Sequence, residues 1–315
     1  MATAPTTTEV RERGAPGRSG RQRFDNNILP VLLVTPAMIL IVGLIGYPVL
    51  RTLYLSFREA GLASLTTGES EFVGLANYAE ILTDSGLRRA VVVTIIFGLA
   101  CVAGTMILGV AVALLLNSQF RGKYLVMIAV LLPWAMPRVA AATVWEWLFH
   151  DQYGFVNWAL SGLGFDFEGN AWFIDPFSAF SAIGVVVIWQ SFPFVAIAVL
   201  AGLQTISDDV SDATLIDGAT GWQRLRYVTL PMLKPILLVM VILSTIWDFK
   251  VFDQIYVMTG GGPARSTEVL SIATYREAFT QLNFGLGSSL AMFTFVILIF
   301  FTVIYIRLVR DEEAI

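Results

Sequence analysis

The chain has 315 residues, of which 56% are hydrophobic and 14% charged, with a net charge of −4 and a mean hydropathy of +0.72. Soluble domains carry about 25% charged residues, so lipid is the main solvent, and the small net charge argues against a nucleic-acid partner. A single cysteine, Cys101, excludes an intrachain disulfide, and a single histidine, His150, gives no transition-metal set, although carboxylate sites for harder ions stay open.

The chain opens with a basic stretch, residues 1–27, carrying Arg11, Arg13, Arg18, Arg21 and Arg23 among Gly, Ser, Thr and Pro. Its composition predicts disorder. The apolar run after it is too long for a signal-peptide core and lacks a small-residue cleavage site, so it reads as a retained segment. A bilayer core about 30 Å thick needs roughly 20 apolar residues per helix. Six segments qualify: 28–50, 90–116, 124–149, 179–203, 232–257 and 288–309. Lipid offers no hydrogen-bond partners, so all six are predicted as helices. The fold class is therefore all-α integral membrane, with a six-helix domain over 28–310 and a short tail, 311–315.

Within the second span, Ala100 and Gly104 form a small-x-x-x-small pair for close helix packing, and Cys101 reads as a small buried hydrophobe. Between spans two and three, Gly122-Lys123 lacks the upstream glycine and following hydroxyl of a phosphate loop, so the chain is not expected to hydrolyse ATP. Span three holds Pro133 and Pro137 beside Ala140, Ala141 and Ala142, and span four holds Pro193. Each proline removes a donor and favours a kink. In the connection between spans three and four, WFIDPF (172–177) suits a membrane-surface anchor. Span five is the least clean, with Asp248, Lys250 and Asp253.

Charge sets the orientation. With the N-terminus inside, the cytoplasmic segments carry the five tail arginines, Arg121, Lys123, Arg224, Arg226, Lys234, Arg307 and Arg310. The outer segments carry Arg51, Arg58, Arg88, Arg89, Arg265 and Arg276, half as many, and 150–178 has no Lys or Arg. The positive-inside rule then places both termini in the cytoplasm, which six spans allow.

The segment 204–231 between spans four and five therefore faces the cytoplasm, and it is more than a connector. SDDVSDATLI (207–216) has helical features, with Ser207 as N-cap and Asp208 and Asp209 near the N-terminus. Gly218 supplies a left-handed turn. Trp222 to Val228 suits a second short helix, with Leu230-Pro231 as its stop. The whole reads as a helix–turn–helix across the inner ends of two spans, able to pass force to the bundle.

This segment resembles the E-A-A loop of permease subunits in bacterial ATP-binding-cassette importers. The family pattern is E-A-A, two residues, D-G-A and a run ending in L-P. Here it reads Asp212-Ala213-Thr214, Leu215-Ile216, Asp217-Gly218-Ala219 and Leu230-Pro231. Asp212 replaces the glutamate, shortening its reach by one methylene, and Thr214 replaces the second alanine. LPWAMP (131–136), WQSFPF (189–194) and FDQIYVMTGGGP (252–263) are similar, in the same order, to the carbohydrate-importer branch. The resemblance covers about residues 28–310.

What the resemblance implies is a type I importer permease fold in a bacterial cell membrane, with a division of labour. A second, different permease would complete the pore. A pair of ATPase subunits would hold ATP and Mg, with no cofactor on this chain. An extracytoplasmic sugar-binding protein or lipoprotein would deliver substrate. Asp212, Ala213, Asp217, Gly218 and Ala219 would dock the ATPase. The substrate would be a sugar, with a disaccharide such as trehalose the first expectation.

Charges inside a membrane usually face a cavity or a partner. On an uninterrupted helix, Lys250, Asp253 and Gln254 would share a face, with Asp248 about 160° from Lys250. The resemblance to maltose permeases places sugar contacts on Asp248, Lys250 and Val251 and on Trp189, Gln190, Ser191 and Phe194, and Asp253 joins the same polar set. Arg138 and Glu146 are weaker candidates. Gly260-Gly261-Gly262-Pro263 follows span five on the outer side, away from any ATP, and reads as a flexible turn. Two other functions compete. An ion-coupled secondary transporter would use Asp248, Lys250 and Asp253 as a relay, and would be favoured by internal repeats, of which none is convincing. A membrane enzyme would use the carboxylates as acid and base, and needs a dense polar cluster that the spans lack.

Overall fold

Backbones in lipid must satisfy their own hydrogen bonds, and this chain does so almost wholly with helices. The computed structural model describes residues 20–68 and 70–313. Helix α1 (Gly20–Ile41) passes through a π turn (Val42–Gly46) into α2 (Tyr47–Ser56). Strands β1 (Arg58–Glu59) and β2 (Glu71–Phe72) flank α3 (Leu62–Thr67) and pair antiparallel, Arg58 opposite Phe72. Then come α4 (Ala76–Thr83), α5 (Ser85–Asn117), α6 (Lys123–Ala135), α7 (Arg138–Leu148), α8 (Phe155–Gly162) and α9 (Pro176–Leu203). Helices α10 (Asp208–Ile216), α11 (Gly221–Arg224) and, after a π turn (Leu225–Thr229), α12 (Leu230–Asp248) follow. The chain ends with α13 (Asp253–Met258), α14 (Leu270–Tyr275) and α15 (Phe284–Glu313).

Among the described residues five helical stretches are long and apolar enough to cross a membrane, or six if the bent pair α6–α7 is one span. They are Pro30–Ser56, Ser85–Asn117, Pro176–Leu203, Gly221–Met258 and Phe284–Leu308, with α6–α7 as the broken one. Residues 1–19 of the basic tail, and 314–315, lie outside the described residues. Residues 20–27, expected in the tail, belong instead to α1, because extending an existing helix adds one hydrogen bond for each residue fixed. The same holds at the other end, where α15 continues to Glu313.

Three further expectations change. Span three is not one kinked helix: α6 and α7 meet at 103°. Pro137 lacks an N–H and disfavours helical backbone at the residue before it, and Met136 is extended (φ −76°, ψ 137°). Pro193, by contrast, lies inside an unbroken α9. Span five breaks after Asp248, at residues 249–252, without Pro or Gly to mark it. Pro231 does not stop a helix. The chain runs from α11 into α12 through the π turn 225–229, whose wider hydrogen bonding absorbs the donor that Pro231 lacks.

The unit that ends at Arg51 and the unit that begins at Thr52 are separate compact bodies. In the second, α5 packs along α9 through close backbone approach. A Cβ on Gly98 would stand 2.6 Å from the Phe249 ring, and one on Gly109 would stand 2.6 Å from Val195. Gly104 faces Ile188. Its expected partner Ala100 is exposed, so the small stripe runs through Gly98, Gly104 and Gly109 instead. Cys101 is 1% exposed in a core cluster with Phe97, Ile183, Val186 and Val251.

The loop after span five is tightly tied. Thr267 Oγ1 donates to the Gly262 carbonyl at 2.6 Å, and Ser266 N–H donates to that of Pro263 at 2.8 Å. Glu268, 4% exposed, accepts from Arg265 Nε at 2.5 Å and from Arg276 at 2.5 and 2.6 Å, and Arg276 also reaches Glu277 at 2.8 Å. The hydrogen bond that Arg265 donates to Glu268 pushes its guanidinium above its ordinary pKa. The turn expected to be flexible is thus a hydrogen-bonded knot. In the loop before α9, Trp172 donates to buried Asn157 at 2.6 Å, while Ile174 and Phe177 are exposed.

Candidate functional site

Two places carry the residues singled out from sequence: the loop between α9 and α12, and a cavity between the two broken spans. In the loop, α10 ends at Ile216 and Gly218 takes φ +72°. Gly218 N–H donates to the Leu215 carbonyl at 3.1 Å and Ala219 N–H to that of Thr214 at 3.0 Å. This pair of bonds is the Schellman ending, which only a left-handed residue completes without strain. Two residues after Gly218, Thr220 forms with Gln223 a reciprocal capping box that starts α11, with bonds of 2.8 and 3.3 Å. The turn between the two helices is therefore closed on both sides. Ser207 stands at the N-cap of α10 but its side chain makes no capping bond.

Asp212, Ala213, Asp217 and Gly218 are exposed and Ala219 is half-buried. Around them Leu215, Ile216 and Trp222 stand 61%, 86% and 66% exposed, and Tyr227 is exposed as well. Large apolar side chains presented together on a rigid turn suit a protein or membrane contact. Behind this face, a cleft of about 740 Å³ runs between the ends of α5 and α9 and the loop, lined by Asn117, Gln119, Gln204, Thr214, Arg224 and Val228 among others.

The cavity holds about 370 Å³. Helix α9 lines it with Val187, Gln190 and Ser191, which share a face at i, i+3 and i+4. The break in span three contributes Trp134, Met136, Pro137 and Arg138, and the break in span five contributes Trp247, Asp248, Val251 and Gln254. Both breaks are held open by side chains. Gln190 Nε2 donates to the freed Met136 carbonyl at 3.0 Å, and Ser271 Oγ donates to that of Val251 at 2.6 Å. Gln254 Nε2 donates to Gln190 Oε1 at 2.8 Å, and Ser191 Oγ to Asp248 Oδ1 at 3.4 Å. Irregular backbone at membrane depth is tolerated where it lines a cavity of this kind.

Of the sequence-derived pathway residues, Gln190, Ser191, Asp248 and Val251 line the cavity together. The others do not. Trp189 packs edge-on against Trp145, 5.3 Å between ring centroids. Phe194 sits behind the wall, 6.3 Å from Trp134 and 5.0 Å from Trp247, and fixes those two rings. Lys250 is exposed, Asp253 is the first residue of α13, and among the described residues the two form no ion pair. The shared helical face expected for Lys250, Asp253 and Gln254 fails because the helix breaks between Asp248 and Asp253. Glu146 lies off the cavity, whereas Arg138 lines it. Trp134, Trp247 and Gln254 were missing from the set. The spacing Pro133-x-x-x-Pro137 was the available signal for the first; Trp247 had none.

Residues 105–311 match the family described as "Binding-protein-dependent transport system inner membrane component". The chain is 39% identical over 288 residues to the diacetylchitobiose uptake system permease protein DasB of Streptomyces coelicolor, covering 91% of this chain and 88% of that one. It is 37% identical to the sulfoquinovosyl glycerol transport system permease protein SmoG of Agrobacterium fabrum, over 98% of this chain and 99% of that one. It is also 37% identical to the trehalose/maltose transport system permease protein MalF of Thermococcus litoralis, over 90% of this chain and 94% of that one. In fold it is similar to a chain of a bacterial alginate ABC transporter solved with a periplasmic protein bound to an alginate pentasaccharide. The TM-score is 0.78 at 19% identity, over 93% of this chain and 98% of that one.

Proposed function

Because the chain belongs to the family of binding-protein-dependent transport system inner membrane components, we propose that it is one of two different permeases in an ATP-driven sugar importer. It is a multi-pass membrane protein, and in this reading both termini and the α10–α11 loop face the cytoplasm. A pair of ATPase subunits below holds ATP and Mg²⁺, and an outer sugar-binding protein delivers the substrate. The relatives' sugars, a trehalose/maltose system among them, support a small oligosaccharide, and a disaccharide is the substrate proposed here.

The observation that carries this reading is the closed turn at Gly218, with Leu215, Ile216 and Trp222 exposed around it. These apolar side chains seat in the ATPase, and Asp212 and Asp217 face its basic groups. Closure of the ATPase pair on ATP would pull the loop, and α11–α12, continuous into the cavity wall at Asp248, would carry that displacement to the substrate. This is a two-state element biased by a ligand on another chain. An ion-coupled relay gains no support, since Lys250 is exposed and does not reach the cavity.

Reconstitution tests the reading. The chain alone in vesicles moves no sugar, and uptake appears only when the second permease, the ATPase and the binding protein are added with ATP. Uptake by the single purified chain in an ion gradient would refute it.

A further inference from the structure

A helix N-terminus is a positive end and a helix C-terminus a negative one, so each favours a charge of the opposite sign. Two residues at the broken spans do the reverse. Arg138 is the first residue of α7 and puts a cation at a positive end. Asp248 is the last residue of α12 and puts a carboxylate at a negative end. They are the two charged side chains in the lining of the cavity.

Neither charge serves its own helix, and neither is matched where it stands. Arg138 is exposed and forms no ion pair among the described residues. The freed Met136 carbonyl does not need it, because Gln190 already donates there at 3.0 Å. Asp248 is 3% exposed. Its Oδ1 accepts from the Ser191 hydroxyl at 3.4 Å, and its Oδ2 has no hydrogen-bond partner. Arg138 is near enough for its charge to act on Asp248. Charges at membrane depth ordinarily pair with one another, and a buried carboxylate left unpaired is costly.

The two charges ride on different parts of the chain. Asp248 ends α12, which runs on from α11 through the π turn and packs against α5 and α9. Arg138 opens α7, which packs against α13, beyond the break at 249–252. A displacement of α12 relative to α7 therefore changes the separation of the charges and the width of the cavity together.

Resting on the importer reading above, we propose that Arg138 and Asp248 form a gate. In a second conformation they meet as an ion pair across the cavity and close it; in the conformation described here they stand apart. When closed, the guanidinium donates to Asp248 Oδ2 in a charge-assisted hydrogen bond. Each charge then offsets the other's unfavourable helix end. Linkage ties the gate to the ATPase: whatever moves α12 changes the pairing, and the pairing biases α12 in return.

The test follows ATP hydrolysis by the complete permease–ATPase assembly in vesicles, without sugar or binding protein, so that loss of a substrate contact does not enter. Arg138→Asp and Asp248→Arg each set like charges across the cavity. Each should change the basal rate by about fivefold or more, both in the same direction, because both remove the same contact. The double exchange restores attraction and should return the rate to within about twofold of wild type. Residues that serve only the fold or only the sugar give no such restoration. Should the reversed charges fail to assemble, the neutral Arg138→Gln, Asp248→Asn and their double read the same coupling, with the double no further from wild type than either single. Singles that leave the basal rate unchanged or move it in opposite directions, or a double in which the two changes simply add, overturn the proposal. A wild-type chain that assembles with no ATPase refutes the importer reading instead.

Discussion

Replacing Gly218 with valine isolates the backbone of the turn between α10 and α11 from everything else about it. A Cβ at this position meets nothing within 4 Å, so the substitution adds no clash. What it changes is the cost of φ +72°. Left-handed backbone costs an L-residue about 1–2 kcal/mol, and a β-branched one is a genuine outlier there. At about 1.4 kcal/mol per tenfold, the closed turn falls in population by roughly 5- to 30-fold relative to alternatives that lose the bonds to Leu215 and Thr214. The assay is sugar-stimulated ATP hydrolysis by the assembled importer. Gly218→Val should lower it several-fold with the spans still inserted, while Gly218→Asn, which tolerates the left-handed region, keeps most of it. Equal stimulation in wild type, Gly218→Val and Gly218→Asn would mean that the partner does not read the shape of this turn.

Orientation is testable by labelling. Cys101 is the sole cysteine and is buried, so Ile216→Cys, 86% exposed, should react with a membrane-impermeant maleimide only from the cytoplasmic face; reaction in intact cells from outside would invert the topology. Glu268→Gln leaves Arg265 and Arg276 facing each other without their shared carboxylate. Breaking a buried ion pair costs about 3–5 kcal/mol, and with Arg265 half-exposed the expected loss lies near the lower end, seen as a reduced Tm in detergent; an unchanged Tm would show the cluster to be idle. Gly98→Leu drives a side chain into the Phe249 ring and should destabilise the packing of α5 against the break after α12 by about 1–3 kcal/mol, again read as Tm, whereas wild-type stability would mean that Phe249 moves aside freely.

The parts of the fold that were legible in the sequence are those written in local terms. Apolar length places the spans, although the fifth begins at Gly221 rather than at 232 and the third is broken, and Gly218 follows from its place after a helical run, because only glycine takes that backbone without strain. The Pro133–Pro137 spacing signalled a bend, but its size was not readable: a kink and a 103° break begin with the same missing donor. They differ in whether something distant captures the freed carbonyl, and here Gln190, 54 residues away, does so. The break after Asp248 had no local signal at all. It depends on Phe249 filling the space left by Gly98 and on Ser271 holding the Val251 carbonyl, both long-range contacts. This is why a helical wheel drawn through 248–254 put Lys250 on the wrong face.

The same reasoning explains why half of the expected pathway residues line the cavity. Residues on α9 kept their periodicity because that helix is unbroken through Pro193, so Gln190 and Ser191 fell where a regular helix puts them. Residues beyond a break lose that register, and Lys250 and Asp253 went with it. The aromatic expectation failed differently: Trp189 and Phe194 are one residue before Gln190 and three after Ser191, far enough around the helix to face other neighbours, Trp145 on one side and the backs of Trp134 and Trp247 on the other. The aromatic rings on the cavity come from the ends of the broken helices. A cavity lined by helix ends takes its chemistry from freed backbone and from whatever side chain captures it, here the Met136 carbonyl and Gln190.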